Sequence, residues 1–258
     1  MNTRPETDPM RHLLILNPNT DPTLTAKLIS RARGFLPEHC AVSGVTARFG
    51  ARYITCRTSL VIAAYATLDT FAHAFRSDPP LITPDTTVLL ACFGDPGLSA
   101  LQEITGCAVT GMARASLLGC RNRGGRTGIV TGGAAWKPLI EELVIREGFT
   151  DTIAGIRTTP DSGEHAGVQR NATVQALLRA ARDLIDEDHA DHILIAGAGM
   201  AGFSTELAAL LPVPVHCSFE ESLSCLMRTP LQPEKTRQSP LVTTGLSPDL
   251  TALLLSPA

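Results

Sequence analysis

The sequence predicts an α/β protein built as two pseudo-symmetric lobes, each a short parallel sheet flanked by helices. Three observations lead there. Short apolar runs alternate along the chain with longer stretches of helical periodicity. The runs are continuously apolar, as in strands that crossover helices bury on both faces. One strand-turn-helix segment recurs farther along with its glycines in step.

His12-Leu13-Leu14-Ile15-Leu16 reads as the first buried strand. Asn17-Pro18-Asn19-Thr20 makes a turn, and Asp21 to Arg33 a helix capped by Thr20 or Asp21. Cys40 to Thr46 is a second strand, and Thr58 to Phe75 an alanine-rich helix ended by Ser77-Asp78-Pro79-Pro80. Thr87 to Cys92 is the clearest buried strand. It runs into the Gly94-Asp95-Pro96-Gly97 turn and a short helix to about Thr105. Strands at Cys107–Val109, Thr127–Thr131 and Ile153–Thr158 alternate with helices at Met112–Cys120 and Ala134–Glu147. A long amphipathic helix, Val168 to Glu187, precedes the strand His192–Ala196 and the glycine turn at 197–199. A helical Leu207–Leu210, a short strand Val213–Val215 and a helix from Glu220 to Met227 follow. The tail from Thr229 is rich in Pro, Ser and Thr, but Leu253-Leu254-Leu255 is apolar enough to dock.

At a constant offset of 105 residues, Ala91 matches Ala196, Gly97 matches Gly202, and Leu98 stands opposite Phe203. The repeat assigns residues 10–111 to one lobe and 112–217 to the other, with 218–258 packing back on the first. It also sets Cys92 and Gly197 at equivalent strand ends, facing across the cleft. Sites in such folds lie at the carboxyl ends of strands.

Composition narrows the function. Apolar residues make up 44% and charged residues 18% of 258, which supports a sizeable core. A net charge of −3 provides no basic field for nucleic acid. The apolar runs fall far short of the roughly 20 residues of a membrane span, and Met1 to Arg11 lacks a signal-peptide core, so a cytoplasmic location is expected. Seven cysteines without a CxxC pair argue against a disulfide framework or zinc ribbon, and seven histidines without H-x-x-x-H spacing argue against a metal.

Cys92 ends a strand ahead of a turn and helix, where backbone amides and a helix N-terminus would favour a thiolate. By position alone the reading as a core cysteine at a strand end is the stronger one. Gly197-Ala198-Gly199-Met200-Ala201-Gly202 fits G-x-G-x-x-G, with Glu220 and Glu221 about 20 residues on. It comes late in the chain, and the repeat already accounts for its glycines as a strand-end turn. Gly132-Gly133, after Thr131, sits at another strand end. No P-loop and no G-x-S-x-G elbow is present.

Leu16-Asn17-Pro18-Asn19-Thr20, Ala91-Cys92-Phe93-Gly94-Asp95-Pro96-Gly97-Leu98 and Ala198-Gly199-Met200 together resemble the Asp/Glu racemase superfamily, in its hydantoin racemase branch. The resemblance runs from about Arg11 to Met227. It implies two lobes with the site between them, a small-molecule substrate, no cofactor, no metal and a homo-oligomer. In the racemases two cysteines flank the substrate's acidic carbon, and backbone amides hold the enolate. The resemblance makes Cys92 the first cysteine and the Phe93 and Gly94 amides one anion cradle. Thr131 and Gly132 line another, and Asn17, Gly197 and Ala198 join the substrate-binding set.

The second cysteine falls at Gly197, which has no proton to give. The arylmalonate decarboxylases of the superfamily keep one cysteine at the other strand end, so this chain resembles their mirror image. Three mechanisms stay open. An isomerase would use Cys92 with Cys217, His216 or water as second acid. A decarboxylase would use Cys92 as sole proton donor. A one-base isomerase would remove and return the proton through Cys92. A non-catalytic binding protein is the reading outside enzymology. The loop Phe49–Thr58, with Tyr53 and Arg57, is the candidate for specificity, and the five cysteines other than Cys92 and Cys217 are assigned to packing.

Overall fold

Strands β1 (His12–Asn17), β2 (Ala41–Thr46), β3 (Thr86–Leu90) and β4 (Ala108–Gly111) form a parallel sheet in the order β2-β1-β3-β4. A second parallel sheet repeats that plan as β6-β5-β7-β8, from β5 (Thr127–Gly132), β6 (Ile153–Thr159), β7 (His192–Ile195) and β8 (Val215–Cys217). This computed structural model describes residues 10–83, 85–160, 168–228 and 239–255. The polar stretch 1–9 and the Pro-, Ser- and Thr-rich segment 229–238 lie outside the described residues.

The two-residue period of a strand sorts its side chains into different cores. Leu13, Ile15, Leu89 and Ala91 point inward and share one core with Ile129, Leu194 and Ala196 of the second sheet. Leu14, Leu16, Val88 and Leu90 point outward beneath α2 (Arg57–Arg76), α3 (Leu98–Ile104) and α9 (Pro248–Leu255). Val130, Ile193 and Ile195 point outward beneath α6 (Arg170–Asp186) and α7 (Ser204–Ala208). Full burial of each such leucine or isoleucine is worth about 1.5–3 kcal/mol, so the shared inner face binds the two sheets strongly.

The inner layer is completed by α1 (Pro22–Phe35), α4 (Met112–Arg123), α5 (Trp136–Arg146) and α8 (Ser218–Arg228). Helix α1 starts at the expected cap: Asp21 Oδ1 accepts from Thr23 N at 3.0 Å, with Pro22 at the first helical position. Helix α8 packs along α4, where Arg123 meets Glu221 at 2.6 Å, and touches α1, where Arg31 meets Glu220 at 2.5 Å. The apolar tail docks as expected: Leu250, Leu253 and Leu254 close the outer core beside Phe71 of α2.

Most strands end one or two residues away from expectation, and two of these differences have a clear cause or consequence. The last strand is Val215–Cys217 rather than Val213–Val215, because Pro214 has no N–H for the ladder and serves only as acceptor, from Ile193 N at 2.9 Å. Strand β3 stops at Leu90, two residues before Cys92, which therefore belongs to the turn.

Candidate active site

The chain beyond β3 makes one last sheet contact, Ala91 N to Leu16 O at 2.8 Å, and then folds back with Cys92 N on Leu90 O at 3.0 Å. Asp95 N returns to Cys92 O at 3.1 Å and closes the turn. Gly97 adopts φ +77°, and a Cβ there would lie 2.8 Å from Ala64 O of α2, so only glycine lets the turn seat against that helix.

The second lobe repeats this construction. Ala196 N donates to Val130 O at 2.8 Å, and the chain turns at Gly197 with φ +106°. Thr131 Oγ1 donates to Ala196 O at 2.8 Å, and Gly197 N to Ser218 Oγ at 3.1 Å, which pins the turn to α8. The two turns meet at one cavity of about 30 Å³, lined by Cys92 and Phe93 on one side and Thr131, Gly197, Ala198 and Gly199 on the other. That volume holds about two waters. Asn19 and Leu24 border it from the first lobe, Trp136 and Ile140 from α5, and Tyr53 and Ile54 from the loop before α2.

Burial controls the thiol. It pushes Cys92 up to about 12, against the Gly94 amide that donates to the sulfur, and the charge of Asp95 acts in the same direction as burial. Free Cys92 is therefore a protonated thiol at neutral pH. The expected thiolate at a helix N-terminus does not form: α3 starts only at Leu98, beyond a left-handed Gly97, and desolvation outweighs the one amide at the sulfur. Among the described residues no protein acceptor takes the Phe93 and Ala198 amides.

A sequence model of the Asp/Glu/hydantoin racemase family matches residues 13–222. The chain belongs to the Asp/Glu/hydantoin racemase family. It is 29% identical to the hydantoin racemase of Paenarthrobacter aurescens over 83% of this chain and 91% of that one. Its fold is similar to allantoin racemase from Pseudomonas fluorescens, with TM-score 0.82 and 24% identity over 91% of this chain and 100% of that one. It is also similar, with TM-score 0.60 and 19% identity over 84% and 91% of the two chains, to a variant of arylmalonate decarboxylase carrying one glycine-to-cysteine and one cysteine-to-serine exchange.

Within this racemase-family fold Cys92, Phe93, Thr131, Gly197 and Ala198 come together at the cavity, as expected. Gly94 lies just behind it, with its amide on Cys92 Sγ. Asn17 does not reach it. Fully buried, its Nδ2 donates to Asn19 Oδ1 at 2.8 Å and Thr25 Oγ1 at 2.9 Å, and its Oδ1 accepts from Asn19 N, so Asn17 shapes the loop while Asn19 borders the cavity. Gly132 continues β5 and is absent from the lining.

Cys217 and His216 also stand apart. Cys217 is buried at the end of β8, and His216 Nδ1 contacts Glu221 at 3.3 Å on the α8 side. Tyr53 lines the cavity, whereas Arg57 pairs with Glu142 of α5 at 2.7 and 2.5 Å. Glu220 and Glu221, the would-be ribose acids, are held by Arg31 and by Arg123 with His216. Cys56 is exposed rather than packed. It caps α2, and bonds from Ser59 hold its thiol below the ordinary range. Sequence reasoning missed Asn19, Leu24, Trp136, Ile140 and Gly199. Only the placement of Trp136, the sole tryptophan, just after the Gly132-Gly133 strand end could have signalled it.

Proposed function

We propose that this chain is a cofactor-independent isomerase of the racemase type, acting at an acidic carbon beside a carbonyl in a small hydantoin-, amino-acid- or carboxylate-like substrate. The observation that carries this reading is the Cys92 thiol, buried at a small cavity where the turns that follow two central strands meet. In such a setting a thiolate, once formed, is a strong base toward a carbon acid; the resulting thiol can return the proton only to the face it left, so inversion takes a proton from water on the opposite face, where Gly197 offers none. The Phe93 and Ala198 amides are placed to hold the enolate oxygen, which is the charge that develops.

A second reading is decarboxylation of a malonate-type substrate with Cys92 as sole proton donor. Gly197 favours it, because the face opposite Cys92 carries no thiol. The similarity in fold to arylmalonate decarboxylase supports only that such chemistry fits this architecture. Turnover in D₂O with both enantiomers of 5-substituted hydantoins, and with aryl- and alkylmalonates, separates the readings. Exchange with inversion supports the isomerase. Stereospecific entry of one deuterium with CO₂ release supports the decarboxylase. Binding of either compound without turnover, unchanged in Cys92→Ala, would leave a binding protein.

A further inference from the structure

Asp95 is the one buried carboxylate in the Cys92 turn, and neither proposed chemistry uses it. Its side chain points away from the cavity into the N-terminus of α4, where Oδ1 accepts from Ala113 N at 3.0 Å and Oδ2 from Arg114 N at 2.8 Å. Its backbone pays for this reach with φ +45°, rare for a residue with a side chain. Room is kept for it as well: a Cβ on Gly111 would fall 2.1–2.3 Å from the carboxylate. The same residue donates its N–H to Cys92 O and accepts from Leu98 N at 3.2 Å. No cation pairs with it among the described residues. The charged groups facing it are Cys92 on its own turn, Arg114 of α4, and Arg146 with Glu147 at the end of α5.

We infer that Asp95 is a positioning residue: its carboxylate clamps the Cys92–Gly94 turn onto α4 and so holds Cys92 in its buried place at the cavity. The inference rests on the reading of Cys92 as the proton-transfer group. The clamp keeps the Gly94 amide on the sulfur and the thiol buried. Burial raises Asp95 to about 7 against the two α4 amides, so the clamp loosens as pH falls through neutrality. The structure thereby couples the burial of Cys92 to a carboxyl that makes no contact with the cavity.

The test follows Cys92 alkylation by iodoacetamide against pH, read by peptide mass spectrometry so that exposed Cys56 is counted separately. In Asp95→Asn the alkylation of Cys92 should rise several-fold, because a turn released from α4 opens locally and exposes the thiol. kcat should fall while KM holds. An unchanged alkylation profile in a folded Asp95→Asn protein overturns the inference. Should that variant not fold, the parent protein still decides: the Ala113 and Arg114 amide resonances should titrate together near pH 7, and their pH-independence overturns the clamp. Both readouts stand without turnover. Loss of the Cys92 mechanism, seen as full activity in Cys92→Ala, is therefore distinguishable from failure of the Asp95 role.

Discussion

Replacing Gly197 tests backbone and chemistry at once. Gly197 sits at φ +106° and ψ +142°, a region that side chains rarely enter. Space is not the obstacle, since a Cβ would meet only Thr131 Oγ1, at 3.5 Å. The cost is therefore conformational, about 1–3 kcal/mol, and taken as about 2 it converts to a Tm loss of roughly 4–8 °C for a chain of this size. Gly197→Ala should show that loss and no change in stereochemical course. Gly197→Cys should show a similar loss, but it adds a thiol opposite Cys92. Exchange with inversion at the acidic carbon of a 5-substituted hydantoin should then rise at least about tenfold relative to Gly197→Ala. Thermal unfolding gives the first quantity, and proton NMR in D₂O with polarimetry the second. An alanine variant as stable as the parent would refute the backbone argument. A folded cysteine variant with unchanged inversion would refute the placement of residue 197 across the substrate from Cys92.

Cys92→Ala should cut kcat/KM by at least about 10³-fold while the far-ultraviolet spectrum stays that of the parent; retained turnover moves the chemistry elsewhere. Because the folded thiol titrates near 12 and the unfolded one near 9, the folded state holds its proton longer, and the urea midpoint should fall between pH 9 and pH 11; Cys92→Ala should flatten that fall. Trp136→Phe removes the bond from Nε1 to Ile54 O at 3.2 Å, so stability should drop by about 1 kcal/mol and Cys92 should alkylate several-fold faster, and equal alkylation would show that this loop does not cover the thiol. Glu221 is disfavoured by burial, but its bonds with His216 and Arg123 prevail and keep it down at about 2; its stabilisation is present above about pH 4.5 and lost as pH falls toward 2. Glu221→Gln should cost about 1–3 kcal/mol at pH 7 by urea denaturation and abolish that acid-side slope.

Leu13-Leu14-Ile15-Leu16 reads as a buried strand, but all four side chains are apolar, so only the structure shows which of them face which layer. The 105-residue offset, by contrast, already set Cys92 against Gly197. Both halves end a central strand in the same backbone bond, Ala91 N to Leu16 O and Ala196 N to Val130 O, and equal spacing from equal strands reaches equal places. Asn17 differs from expectation because both asparagines of this turn are buried and bonded to each other, and no local pattern tells which of the two also borders the cavity.

The sequence by itself thus determined the two-sheet α/β plan, the family resemblance and the pairing of one thiol with one glycine. These depend on periodicity and on distances along the chain. The tertiary structure alone decided that Trp136, Tyr53 and Ile54 line the cavity and that Cys92 is a thiol rather than a thiolate. A cavity wall is assembled from elements remote in sequence. An acid strength is set by everything that excludes water around the group, and here burial by both lobes outweighs the single amide that the local turn supplies.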